Sequence, residues 1–493
     1  MASIPTNDDD RILLNAGSPH GAIDALGGRD ELRVLAAPGA AITDGFFAGL
    51  SGFEALSFQG TRAALFPMIA VSFGEQAAEA FGLVQEDGSV SGALTVQAAT
   101  NVGLDFRLAP GLEAGSGELN LELRGGVMAD RLQGGAGADV LDGGKGGADI
   151  LSGGAGDDLF LIHSVQQVAA SIIDGGAGTD TLRLLAGGRY ELPDIPGIER
   201  ISTGEGAYVI YPASGGGALT VQAGARTTSL IVSASSAGAS LTVDGSSGDD
   251  NILGGNAADV LNGKSGNDNL YGSGGNDIFV VRADDFDDQD GISGGDGYDA
   301  IRVLGGGEIS DTDFSRVNTT ETITLGETEF ASLEFGGIAQ WAFEGNLRVS
   351  ATGVKSETAI IIIDVLAQFR GEPVEFDSFD YKGSAGYDAV TLVGQSANVT
   401  GGGGADGFVV REGLFGTARI GDFEAAQDEI YIIGAPESVQ ENLAEAGVAG
   451  WDALTNTADG VMLTVFGESV VLEGVEREDL SASNFVFSDT PLF

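Results

Sequence analysis

Aspartate recurs at fixed spacing in the glycine-rich turns of this chain. Asp130, Asp139, Asp149 and Asp158 lie 9, 10 and 9 residues apart, and Asp250, Asp259, Asp268 and Asp277 follow at intervals of 9. Asp388 and Asp406 are 18 apart, with a copy that has lost its aspartate (393–399) between them. Each repeat approximates Gly-Gly-x-Gly-x-Asp-x-Leu-x. Gly134, Gly135 and Gly137 precede Asp139; Gly143 and Gly144 precede Asp149; Gly153, Gly154 and Gly156 precede Asp158. Gly245 and Gly248 precede Asp250, Gly254 and Gly255 Asp259, Gly263 and Gly266 Asp268, and Gly272 and Gly275 Asp277. Gly386 precedes Asp388 and Gly404 precedes Asp406. Such a turn offers a carboxylate together with carbonyl oxygens that glycine leaves uncovered. One turn supplies too few oxygens for a calcium ion, which takes roughly six to eight at about 2.3–2.6 Å. Two turns stacked at the strand spacing of about 4.8 Å complete the shell. The chemistry expected is calcium coordination between neighbouring turns. Lys145, an extra residue, and Ala257, in place of glycine, depart from the pattern and weaken individual sites.

The elements that must position these turns are strands. The last three residues of a repeat suit a short strand with its Leu inward, and the first six form the turn. Beyond each cluster a further marker aspartate lies 22 residues on: Asp158 leads to Asp180 (with Gly176 and Gly178), Asp277 to Asp299 (with Gly295 and Gly297), and Asp406 to Asp428. The blocks recur at 120 residues (Asp130 and Asp250) and 119 (Asp180 and Asp299), and Gly92–Ala98 reappears unchanged at Gly217–Ala223. This is a tandem array of large units with nonapeptides nested inside. Between clusters, runs such as Leu230–Ser235 and Thr322–Leu325 alternate as strands do. Asp30 with its following Glu-Leu-Arg-Val-Leu parallels Asp299 with Ala-Ile-Arg-Val-Leu, so residues 1–120 read as another β unit. Helical signal is confined to Pro436–Ala446, stopped by Gly447, and a short stretch at Glu75–Phe81. Trp341 reads as a core residue of an alternating strand, and Ala359–Leu366 as a strand buried on both faces.

The nonapeptides resemble those of repeats-in-toxin (RTX) proteins, whose repeats form a calcium-loaded parallel β-roll. The resemblance implies two nonapeptides per coil and an ion shared by turns one coil apart. Carried over by motif, the pairs are Asp250 with Asp268, Asp259 with Asp277, Asp139 with Asp158, and Asp130 with Asp149. Residues 420–432, 472–475 and 479–487 resemble the tail of RTX proteins exported by type I secretion. That implies an uncleaved C-terminal export signal, the type I machinery as partner, and a secreted, extracellular or cell-surface location. An N-terminus (Met1–Asp10) without a basic region or apolar core, and the lack of cysteine, accord with that route.

Composition narrows the field. The 493 residues include 73 acidic and 23 basic ones, a formal charge of −50, so a basic face for nucleic acid is not expected. Without Cys there is no thiol, iron–sulfur or zinc-finger chemistry. No apolar run reaches the roughly 18–20 residues of a membrane span. A zinc-protease His-Glu-x-x-His is absent, and His20 and His163 are isolated. Gly291-Ile-Ser293-Gly-Gly matches a nucleophile elbow but lies in a repeat-type turn, and reads as coincidence. The excess anions acquire a mechanism. Without calcium they repel one another; with millimolar calcium each ion ties turns together, and binding becomes folding free energy.

The expectation is an all-β chain of calcium-loaded parallel β-roll or β-solenoid segments alternating with irregular β units. Four segments are expected: 1–122, a degenerate N-terminal β unit; 123–240 and 241–375, each a roll and a β unit; and 376–493, a degenerate third roll with a C-terminal cap carrying the secretion signal. The function expected is that of a secreted calcium-dependent structural protein, not an enzyme, that self-associates into a surface layer, fibre or matrix. The alternative is a calcium-dependent adhesin or carbohydrate-binding exoprotein, with cell-surface polysaccharide as partner.

Overall fold

The computed structural model describes residues 11–16, 23–25, 30–36, 40–48, 50–51, 53–60, 68–73, 75–83, 91–98, 103–108, 118–213, 217–234, 238–365, 368–369 and 372–490. His20, Leu366, Met1–Asp10 and residues 26–29 lie outside them. The chain divides into two compact units, Met1–Ser246 and Ser247–Phe493.

In the first unit successive strands feed two parallel sheets in turn. One sheet runs Arg11–Asn15, Glu31–Ala36, Ala55–Gly60, Ser91–Ala98, Glu118–Arg124, Val140–Asp142, Leu159–Ile162, Thr181–Glu191 and Arg200–Tyr211. The other runs Ala41–Ile42, Met68–Phe73, Gly103–Leu108, Arg131–Gln133, Ile150–Ala155 and Ile172–Ala177. Two nonapeptides therefore make one coil, as a β-roll requires. Glu122 pairs with Val140, 18 residues on, and Leu159 with Thr181, 22 on. The longer step accommodates a helix, Val165–Ala170, that the sequence reading missed. Ser164 caps it, accepting from the Gln167 N–H.

The second unit has the same construction. Val260–Asn262, Ile278–Arg282, Ala300–Leu304, Thr322–Leu325, Asn346–Ser350, Ser378–Ser384, Gly394–Gly402 and Phe415–Ile420 pair in sequence, all parallel. Opposite them stand Asn251–Leu253, Asn269–Gly274, Gly291–Asp296 and Val317–Asn318. A further parallel sheet runs from Gly307–Ile309 through Phe330–Phe335, Ile360–Val365, Tyr387–Thr391, Gly407–Arg411 and Glu429–Ile433 to Phe485–Ser488. An antiparallel meander, Leu454–Asn456, Gly460–Val465 and Glu468–Glu473, packs on through its last strand.

Each nonapeptide strand contributes one inward apolar side chain. Leu132 and Leu151 form a file in one sheet and Leu141 and Phe160 a file in the other, and Ile252 with Leu270 and Leu261 with Phe279 repeat the arrangement, all buried. Where strands lengthen, aromatic residues fill the interior: Phe47, Phe73, Phe81 and Phe106 near the N-terminus, a stacked Tyr190–Tyr208 pair, and Phe314 against Phe286, Phe335 and Phe343.

Two helices fall where the sequence indicated, Glu75–Ala80 and Glu437–Gly450, the second interrupted at Gly447 by its positive φ of 61°. Two readings are corrected. Trp341 is not in a strand: it lies on the helix Gly337–Ala342 and is 84% exposed. The Asp311 carboxylate accepts the N–H groups of Gly336 and Ala339, which opens a helix there and buries Ala339 and Ala342 instead. Ile360–Val365 is not buried on both faces. It alternates, with Ile361, Ile363 and Val365 inward and Ile360 exposed, because only one face of a coil meets the interior. Trp341→Ala is accordingly expected to change unfolding free energy by less than about 0.5 kcal/mol, whereas Phe314→Ala costs about 3–5 kcal/mol. Chemical denaturation in calcium measures both.

Candidate metal centre

The marker aspartates are buried and hydrogen-bonded from one coil to the next. The backbone N–H of Asp139 donates to Asp158 Oδ1 (2.8 Å), and that of Asp158 to Asp180 Oδ1 (2.7 Å). On the opposite turn the Asp130 N–H donates to Asp149 Oδ1 (3.0 Å). In the second unit Asp250 donates to Asp268 and Asp268 to Asp290, while Asp259 donates to Asp277 and Asp277 to Asp299, at 2.7–2.9 Å. Asp388 donates to Asp406 and Asp406 to Asp428. The four pairs inferred from motif are thus in direct contact. The sequence reading missed Asp290, although it lies 22 residues after Asp268, the step already seen from Asp277 to Asp299. The same step from Asp149 reaches Ser171, whose hydroxyl accepts the Asp149 N–H (3.1 Å).

The first glycine of each turn makes room for this carboxylate. A Cβ on Gly134, Gly153, Gly254, Gly263 or Gly272 would overlap Oδ2 of Asp139, Asp158, Asp259, Asp268 or Asp277, and Gly143 stands likewise to Asp149 across the Lys145 insertion. At Gly153 and Gly272 the same position is 2.5 and 2.6 Å from the carbonyl oxygen of the equivalent residue one coil on, Gly175 and Gly294. Carboxylate and carbonyl oxygens therefore converge on one side of a glycine. Gly125, Gly175, Gly294, Gly383 and Gly401 occupy this position too; the sequence reading did not name them as ligands, although Gly175, Gly294 and Gly401 open intact Gly-Gly-x-Gly-x-Asp copies.

The other glycines face the coil before. Gly144, Gly154, Gly156, Gly176, Gly178, Gly266, Gly275, Gly295, Gly297 and Gly404 have positive φ and lie against its carbonyls. Gly137 and Gly386 meet the carbonyls of Leu119 and Ala359, and Gly248 opposes Gly266. The N–H groups of Gly135 and Gly255 donate to Asp139 and Asp259 Oδ2. Gly245 is buried at the end of the first unit. Lys264 and Ser273 replace the second glycine at φ 71° and 81°, a conformation costly for side-chain-bearing residues.

Electrostatically these rows are poised for cations. Burial, which disfavours the charged form, pushes the carboxyls of Asp130 and Asp158 up to about 7 and those of Asp139 and Asp149 to about 6; backbone N–H donors offset it only in part. Asp268, Asp277 and Asp406 rise to about 7 and Asp388 to about 6, again chiefly by burial. Burial also raises Asp180, Asp290, Asp299 and Asp428, with like-charged neighbours adding to it.

A calcium ion fits these residues. Oδ2 of Asp158, Asp180, Asp277 and Asp299 is buried and has no hydrogen-bond partner. Among the described residues no three acidic or imidazole side chains cluster as a side-chain-only centre. A cation here must draw on backbone carbonyls, which suit calcium and do not suit softer metals. The third cluster differs: Asp388 already accepts from the Tyr381 hydroxyl and from both the N–H and the hydroxyl of Ser384. His163 bonds Asp142 (Nε2 to Oδ1, 2.8 Å), and Ser293 lies mid-strand with its hydroxyl on Asn318 Oδ1. Those two residues belong to different units.

Two outcomes are expected. Gly153→Ala costs about 1–3 kcal/mol and weakens calcium uptake, whereas Gly217→Ala, with open space around its Cβ, stays within about 0.5 kcal/mol. Denaturant titration and calorimetry distinguish them. The second concerns pH. In the folded chain the aspartates hold protons up to about 6–7, and in the unfolded chain only to about 4. Their contribution to calcium-free stability is therefore fully present below about pH 4 and lost as pH rises through 6 to 7. Thermal melts in chelator should show the midpoint rising as pH is lowered from about 7.5 to 5, and calcium addition near pH 6.5 should release protons.

The comparison with protein families agrees with this geometry. The RTX calcium-binding nonapeptide repeat matches in four copies, over residues 124–160, 170–188 and 243–279. A search of the curated proteins found no match to the chain. The buried aspartates Asp130 to Asp180 and Asp250 to Asp277 fall within the matched stretches: the chain carries RTX calcium-binding nonapeptide repeats, and Ca2+ is the ion they bind.

Proposed function

We propose that this is a secreted, calcium-dependent structural protein whose stacked coils self-assemble into a surface layer, fibre or matrix outside the cell. Type I secretion is the export route in this reading, and the aspartates and glycines of the three clusters are its calcium ligands. The four-segment division of the sequence belongs to the same reading. The observation that carries it is the recurrence of buried, coil-to-coil aspartate ladders in both units, on a solenoid that accounts for most of the described chain. Such a framework is stiff when its ions are bound, and the backbone edges of terminal strands are natural sites for pairing between copies. No catalytic role is assigned to Ser293 or His163.

One feature favours the second reading, a calcium-dependent adhesin for polysaccharide. A groove of about 510 Å³ on the second unit is lined by Tyr298, Arg348, Lys382, Asn398, Arg419 and Glu473 among others. Arg348 lies over the Tyr298 ring at 5.6 Å and also pairs with Asp380. An aromatic face beside charged and amide groups is a surface on which a sugar ring can rest.

Electron microscopy and small-angle scattering with and without millimolar calcium test the leading proposal. Ordered assemblies that form with calcium and disperse in chelator are expected. A particle that stays monomeric in both, yet binds polysaccharide when calcium is present, would sink self-assembly and leave the adhesin.

A further inference from the structure

Each unit ends its longer ladder in the same way, with a glutamate outside the matched nonapeptides. The Asp180 N–H donates to Glu199 Oε2 (2.9 Å), and the Asp299 N–H to Glu321 Oε2 (2.6 Å). The bond is reciprocated: the N–H groups of Glu199 and Glu321 donate to the carbonyls of Asp180 and Asp299 at 3.2 and 3.0 Å. Near the N-terminus Asp30 and Glu54 are joined by both bonds too.

We propose that Asp180 with Glu199, and Asp299 with Glu321, each close a calcium site at the end of the ladder. This rests on the calcium reading above and extends it past the array, to residues that lack the nonapeptide pattern. Three observations carry it. Asp180 and Asp299 are fully buried, and Oδ2 of each has no hydrogen-bond partner. A backbone carbonyl oxygen converges with that Oδ2, as inside the array: a Cβ on Gly175 would overlap the Gly197 oxygen beside Asp180 Oδ2, and one on Gly294 would overlap the Thr319 oxygen beside Asp299 Oδ2. Finally, among the described residues no Lys or Arg forms an ion pair with Asp158, Asp180, Glu199, Asp277, Asp299 or Glu321. Carboxylates thus follow one another from coil to coil up to each ladder end, with no ion pair to a Lys or Arg among the described residues.

The opposite turn of the first unit ends otherwise. There Asp149 Oδ2 accepts from the Gln167 side-chain amide (3.4 Å) and the Asp149 N–H donates to Ser171. A neutral amide donor and a neutral hydroxyl acceptor occupy that end, where the glutamate-closed ends place a carboxylate.

The test is calcium stoichiometry of the full chain by titration calorimetry and native mass spectrometry, for wild type, Glu199→Gln, Glu321→Gln and the double variant. Glutamine keeps a carbonyl to accept the Asp N–H, and removes the charge and one of the two oxygens that could face the ion. Each single variant should take up one ion fewer than wild type and the double variant two fewer, with a smaller calcium-induced rise in melting temperature. Glu205→Gln, which removes an exposed charge paired with Arg226, should match wild type. Unchanged ion counts and melting gains in both single variants would overturn the proposal and leave the array sites standing. A wild-type chain that takes up no calcium would instead overturn the reading on which it rests.

Discussion

A buried carboxylate that accepts the backbone N–H of the preceding coil is the constraint on which the rest of this protein depends. The bond satisfies a donor that the stacked turns bury, and an unsatisfied buried N–H costs as much as a lost hydrogen bond. Yet each such bond places another anion beside the last, out of water, and burial raises these carboxyls to about 6–7. The geometry that completes the backbone therefore creates a charge problem that the backbone cannot solve. Protons solve it below neutrality and calcium solves it at neutrality. Glycine is required for the same reason, since a Cβ on Gly153 would occupy the space in which the Asp158 carboxylate and the Gly175 carbonyl converge.

The ladder also has a direction. Within a row every N–H donates towards the C-terminus, from Asp139 to Asp158 to Asp180 and from Asp259 to Asp277 to Asp299. A coil is satisfied only when its C-terminal neighbour is in place. Cooperativity follows without any long-range contact, because loss of one turn leaves the turn before it with a buried orphan donor.

Much of this was legible in the residues. The resemblance carried by the nonapeptides implied the two-strand coil and the aspartate pairs, and the period of 9 kept those pairs in register along the chain. The parallel between Asp30 and Asp299 extends to a matching glutamate partner, Glu54 and Glu321. What could not be read was whatever departs from the period. Glu199 and Glu321 take an aspartate's place with a longer side chain and no glycine signature. The helix Val165–Ala170 lengthens a coil without disturbing its register, so the step of 22 was visible but its cause was not. Trp341 was misplaced because Ile338-Ala-Gln-Trp-Ala-Phe343 looks like strand alternation until Asp311, 30 positions upstream, is known to cap the turn.

Strand length and ladder are set against each other for a physical reason. In the array the strands Arg131–Gln133, Val140–Asp142, Asn251–Leu253 and Val260–Asn262 have three residues and bury one side chain each. So little apolar burial cannot offset the ordering of nine residues, and the deficit falls to the turns and their ions. Past Glu199 the strand Arg200–Tyr211 has twelve residues and buries Ile201, Tyr208 and Ile210, with Tyr208 stacked on Tyr190. There hydrophobic packing holds the coil, and the aspartate row stops. Calcium therefore weighs most on the short-strand coils, whose own packing holds them least, and less on coils such as those around Asp388 and Asp406, whose strands of five to nine residues bury more.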